Sequence, residues 1–134
     1  MKLKESLINL QCEMVAERAQ VNPQNISWLQ YDILFQLQKV ETILPPELSL
    51  ILGVSRAKLS KALKDLKSEG YITQSPNPED GRELCTSITS EGKRLLSDIS
   101  ARHTALYQTA RDVMSREEQA EFARLANRLS EALS

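Results

Sequence analysis

Little in this 134-residue chain suits metal, redox or membrane chemistry. It has two cysteines, Cys12 and Cys85, and one histidine, His103. Two cysteines cannot make a dense disulfide framework, and a structural zinc site wants about four Cys or His ligands, so no metal is expected. The four glycines are scattered and make no phosphate-binding loop. No nucleophile has an evident His or Asp partner set, and the acidic residues are spread over helix surfaces, so neither an enzyme nor a cofactor is expected. Long apolar runs are missing too. The opening "MKLKESLINLQCEM" mixes charge into every turn, and no run approaches the roughly 18 apolar residues of a membrane span. A cytoplasmic protein with no membrane partner is expected.

A large charge of one sign is also absent: the formal net charge is −1. Its distribution is uneven. Residues 55–67 carry Arg56, Lys58, Lys61, Lys64 and Lys67 against Asp65 alone, a local +4 that leaves −5 for the rest. Such a run is either a solvated helix face or a footprint for an anionic partner. With 41% hydrophobic and 26% charged residues, the composition fits one globular domain.

Periodicity supplies the surroundings. Leu3, Leu7, Leu10 and Met14 form one stripe of a first helix, and Ile8, Cys12, Val15 and Ala19 form a second on roughly the opposite side, so both sides need covering. Ser27 followed by Gln30 reads as a capping box for a helix near 27–40, with Ile33, Leu34 and Leu37 inward. Pro45 and Pro46 open a short helix that Gly53 must stop. Ser55 caps the next, in which Leu59, Ala62, Leu63 and Leu66 form the buried stripe and Gly70 closes the end. Two helices joined by the tight "GVS" turn are a helix-turn-helix signal, with the second in the position of a recognition helix. The segments "YITQS" and "ELCTSI", separated by the turn-forming "PNPEDGR", then predict a hairpin, and the whole reads as a winged helix. A hairpin tip beside a recognition helix can lay Arg82 into an adjacent DNA minor groove, with Asp80 bracing it. The plain alternative is an exposed turn ion pair worth about 0 to 1 kcal/mol.

The chain resembles the MarR family of bacterial transcription regulators over most of its length. The family's opening helix pattern stands here as Ile26, Ser27, Gln30, Ile33, Leu34 and Leu37. Its helix-turn-helix core stands as Glu47, Leu48, Ser49 and Gly53 to Ser55. Its wing signature, Asp-x-Arg followed by Leu-Thr-x-x-Gly, stands as Asp80, Arg82, Ile88, Thr89 and Gly92. Three positions depart from the pattern. Gly81 replaces a frequent second basic residue, "ILPP" replaces a threonine cap, and Ser49 replaces alanine with a hydroxyl that needs a partner if buried.

After the wing, Leu96, Ile99, His103, Leu106, Ala110 and Val113 follow a heptad-like spacing, with His103 read as a packed or interface residue. Ser115 with Glu118 caps a last helix carrying Phe122, Leu125, Leu129 and Leu133. Together with the first helix, these segments are read as a dimerisation lobe, which the resemblance also implies. The expected fold is mostly α with a small β-wing: one domain over 1–134, with a winged helix-turn-helix at 26–88 and a helical dimerisation lobe from both termini, 1–22 and 89–134. The expected function is a homodimeric, sequence-specific regulator of transcription, a repressor, that binds double-stranded DNA at a pseudo-palindromic operator. Ser55, Arg56, Ala57, Lys58, Ser60, Lys61, Lys64 and Arg82 are its expected DNA contacts, with Asp80 supporting the wing. The resemblance further implies release by a small aromatic or phenolic effector or by cysteine oxidation. Met14, Trp28 and Tyr31 are the candidate effector-lining residues, with ordinary core packing as the alternative. Cys12, on the second apolar stripe, is the candidate redox residue, although a buried thiol without a cation nearby is normally inert. Cys85 is expected on an exposed strand face. A winged-helix protein-interaction module is the alternative from a different class.

Overall fold

The Ser27 hydroxyl accepts from the Gln30 amide (3.1 Å) and the Gln30 side chain accepts from the Ser27 amide (2.9 Å), so the second helix begins where its capping box places it. In the computed structural model, which describes residues 1–134 except 22 and 24, this helix is α2 (Trp28–Lys39), preceded by α1 (Leu3–Gln20). There follow α3 (Pro45–Leu52), α4 (Arg56–Ser68), β1 (Ile72–Pro76), β2 (Leu84–Ile88), α5 (Ser90–Arg102), α6 (Ala105–Val113) and α7 (Arg116–Leu133). The strands pair antiparallel, with Ile72 opposite Ile88 and Pro76 opposite Leu84. Mostly helical structure with one small hairpin is the fold class expected from the sequence.

The chain divides into two compact units, residues 18–101 and residues 1–17 with 102–134. The first holds every core residue identified among the described ones, from Ile26, Ile33, Leu34 and Leu37 through Leu48, Leu59 and Leu66 to Ile72, Leu96 and Ile99. α5 therefore belongs to the winged unit, because Leu96 and Ile99 complete that core. Leu106 and Val113, by contrast, are exposed in the other unit. The heptad-like spacing over 96–113 is thus not one seam: the helix breaks at His103 and Thr104, and its apolar positions serve two different units.

A third strand-like segment joins the wing. Ile43 and Thr86 exchange both backbone hydrogen bonds, each 3.0 Å, so the "ILPP" segment contributes a β-bridge before it becomes α3. No side chain of residue 44 caps α3; instead the Glu47 carboxylate accepts from the Leu44 amide at 3.3 Å. The helix-turn-helix turn is closed by Gly53, in the left-handed conformation at φ 64°. α4 ends with the Tyr71 amide on the Leu66 carbonyl (2.9 Å) and the Gly70 amide on that of Lys67 (3.1 Å), the paired bonds of a Schellman motif.

Ser49 is buried within α3 and its hydroxyl has no hydrogen-bond partner among the described residues. A buried unsatisfied hydroxyl costs about 1 kcal/mol or more, and serine is also a poorer helix former than alanine. Ser49→Ala should therefore raise unfolding free energy by about 1 kcal/mol, read as a shift of the urea midpoint at unchanged slope. A destabilised variant would mean that the hydroxyl is bonded after all.

In the terminal unit, Ser115 and Glu118 form a reciprocal capping box at the start of α7. The Gln119 side chain donates to the Met114 carbonyl (2.9 Å), tying α7 to the end of α6. The described part of this unit has no buried hydrophobic residue.

Candidate nucleic-acid interface

α4 presents its cations because its leucine stripe is turned inward. The Ser55 hydroxyl accepts from the Lys58 amide at 3.2 Å, fixing the first turn, and Leu59, Ala62, Leu63 and Leu66 are buried. Ser55, Arg56, Ala57, Lys58, Ser60, Lys61 and Lys64 are all exposed. They do not form one face. Arg56, Ser60 and Lys64, joined by Lys67, line a cleft of about 380 Å³ whose other wall includes Gln74, Arg82 and Glu83 of the wing. At about 100° per residue these four helix positions fall within an arc of about 80°. Lys58 and Lys61 turn the other way, onto a shallower hollow of about 240 Å³ shared with Ser27, Gln30 and Asp65. Ala57 lies between the two flanks by the same helical geometry.

The wing tip is ordered by its own side chains. Asp80 Oδ1 accepts from the Arg82 amide (3.1 Å) and from Arg82 Nε (3.4 Å), while the Asn77 side chain accepts from the Glu79 amide (3.1 Å). The Asn77 amide donates to the Glu83 carbonyl at 2.8 Å, closing the base of the loop. The Arg82 side chain is 93% exposed, so the ion pair adds little stability. Its effect is to hold the guanidinium at the tip. Behind the tip, Gln74 Nε2 donates to the buried Thr86 hydroxyl at 3.2 Å, pinning one strand to the other.

Lys67, Gln74 and Glu83 are absent from the DNA contacts expected from the sequence, although Lys67 was counted in the cationic run. Lys67 had a legible signal: with Arg56, Ser60 and Lys64 it continues one helical stripe at steps of four, four and three. Gln74 and Glu83 had none, since only the hairpin register brings them to the cleft.

The candidate sensing residues belong to different units. Met14 lines an apolar groove of about 570 Å³ in the terminal unit, with Leu7, Leu10, Phe122, Leu125 and Leu129. Trp28 and Tyr31 lie in the winged unit, their rings edge to face at 5.3 Å. Arg18 sits 4.6 Å over the Trp28 ring and makes a two-pronged ion pair with Asp32. The Trp28 indole donates to the carbonyls of Arg18 (2.8 Å) and Val21 (2.9 Å), which caps the end of α1. Cys12 is exposed rather than buried, because the second stripe of α1 is uncovered, with Ile8 and Val15 exposed beside it. Cys85 is half-buried. Among the described residues no group of three or more His, Cys, Asp or Glu side chains could hold a metal, and no helix is long and apolar enough to cross a membrane.

A model of the MarR family matches residues 17–83, which contain α2, the helix-turn-helix and the wing tip. The chain belongs to the MarR family. The multiple antibiotic resistance protein MarR of Salmonella typhimurium is 28% identical over 82 residues, covering 61% of this chain and 57% of that protein. The HTH-type transcriptional repressor YetL of Bacillus subtilis is 28% identical over 90 residues, covering 67% of this chain and 54% of the repressor. The match therefore spans little more than half the length of these relatives. Among solved structures, the multiple antibiotic resistance repressor MarR superposes with a TM-score of 0.79 at 21% identity, covering 96% of this chain and 95% of the other. A MarR mutant from E. coli complexed with operator DNA superposes with a TM-score of 0.68 at 22% identity, covering 96% and 99%. These likenesses establish the MarR winged-helix fold for the chain.

Proposed function

We propose that this MarR-family chain is a homodimeric, sequence-specific DNA-binding regulator of transcription in the cytoplasm. It acts as a repressor at a pseudo-palindromic operator and is released by a small aromatic or phenolic molecule. The observation that carries the DNA reading is the cleft where Arg56, Lys64 and Lys67 of α4 face Arg82 of the wing. Recognition helices read base edges in the major groove, and cations flanking them neutralise phosphates and release counterions. The solved MarR mutant of like fold, complexed with operator DNA, supports the same reading. The dimer is supported by the exposed leucines of α1 and α7, which leave the terminal unit without a core of its own. Two copies related by a two-fold axis would set their recognition helices about one helical turn, roughly 34 Å, apart.

The direct test is to incubate the protein with sheared DNA from its own genome near physiological salt and sequence what is retained. A few fragments sharing a pseudo-palindrome are expected, and their neighbouring genes point to the effector. Even recovery of all fragments, or of none, would favour the interaction module or an effector-occupied state that cannot bind DNA, and mass spectrometry of the protein for a bound ligand separates the two. Within this mechanism Arg82→Ala should weaken operator binding by about 1 to 3 kcal/mol, measured by anisotropy titration. Unchanged affinity would remove the wing from recognition.

A further inference from the structure

A helix in the major groove and a wing tip in the adjacent minor groove lie on either side of one sugar–phosphate strand. On the DNA-binding reading above, that strand must pass through the space between them, and here the space is the α4–wing cleft. Most of the charge lining it is positive, from Arg56, Lys64, Lys67 and Arg82, but Glu83 lines it as well. Glu83 forms none of the ion pairs found among the described residues. Nor is its backbone free to turn away: its amide donates to the Asp80 carbonyl (3.1 Å) and its carbonyl accepts from the Asn77 amide (2.8 Å). The backbone of Glu83 is therefore fixed at the wall of a cleft whose expected occupant is an anion, within reach of its carboxylate.

The α3 wall of the cleft is poor in donors. Helix starts commonly bind phosphate through their first amides, but Pro45 and Pro46 occupy the first two positions of α3, and both line the cleft. Proline has no N–H, so two of the donors that a helix start would offer are missing. Side-chain cations must do most of the holding of the strand, against one carboxylate, that of Glu83.

We propose that Glu83 is an affinity-limiting residue: it faces the DNA phosphate strand seated between α4 and the wing and weakens binding to every sequence by the same factor, while Lys67 contacts that strand from the opposite wall. Phosphates carry no sequence information, so the ratio of operator to random-DNA affinity is untouched while the absolute affinity falls. A repressor so built leaves its operator more readily.

The test compares wild type, Glu83→Gln and Lys67→Ala on the genome-selected operator and on a random duplex, across roughly 50 to 200 mM salt. Each phosphate neutralised contributes about 0.9 to the salt slope, equivalent to about five-fold in affinity near 0.15 M salt. Glu83→Gln should bind both duplexes about five-fold more tightly with a slope steeper by about 0.9, and Lys67→Ala should shift both the opposite way. A Glu83→Gln protein that binds both duplexes as wild type does overturns the proposal. So does a change confined to the operator, which would make Glu83 a reader of a base. If neither wild type nor Glu83→Gln binds DNA while both melt normally, the DNA reading itself fails, and this inference with it.

Discussion

Gly92→Ala should unfold this protein at a much lower temperature than any surface substitution does. A Cβ at residue 92 would stand 2.2 Å from the Tyr71 carbonyl oxygen and 2.8 Å from Ile88 Cγ1. The oxygen is backbone and cannot rotate away. It is also in use, accepting from the Thr89 amide at 3.1 Å. Thr89 in turn donates its hydroxyl to the Gly70 carbonyl (2.7 Å) and accepts from the Gly92 amide (3.0 Å), so one residue fastens the start of α5 to the turn after α4. Moving α5 outward to admit a methyl group would break these bonds and withdraw Leu96 and Ile99 from the core. Overpacking of this kind costs about 3 kcal/mol, which for a unit of this size lowers the melting temperature by roughly 10 °C or more. Gly81→Ala is the control, since a Cβ there meets nothing within 4 Å. Equal melting temperatures for the two variants would show that the α5 junction is looser than the geometry indicates.

Leu125→Arg combined with Leu129→Arg should weaken operator binding by about 10² to 10⁴ through a different route, leaving the winged unit folded. Both leucines lie on the apolar groove of the terminal unit and are 47% and 45% exposed, part of one contiguous apolar surface rather than scattered single side chains. Two arginines there would place unpaired charge in the proposed dimer interface. A monomer reads one half-site, and loss of the second engagement costs about 10² to 10⁴ in affinity through the lost effective concentration. Light scattering should report a monomer, with Trp28 fluorescence unchanged because that residue is packed within residues 18–101. A variant that remains dimeric at micromolar concentration would place the dimer contact elsewhere.

What the chain determines locally was legible without coordinates. The capping pairs Ser27 with Gln30 and Ser115 with Glu118, the Ser55 cap and the leucine stripe of α4 all act within four residues, so spacing alone specifies them. The hairpin between Ile72 and Ile88 was legible for the same reason, because its turn residues lie between the strands they join. Tertiary structure decided the rest. Periodicity says that one side of a helix is buried, not against what, and so the 90–113 segment reads as one seam when its apolar residues belong to two units. The bridge from Ile43 to Thr86 spans more than forty residues and has no local signature. The same holds for the cleft. The sequence shows a run of cations after Ser55, and helical spacing alone separates Lys67 from Lys58 and Lys61, but only the packing of α4 against the wing brings the first flank opposite Arg82 and sets Glu83 beside it. Local hydrogen bonds fix which helices form; contacts between residues far apart in the chain fix which side chains share a site.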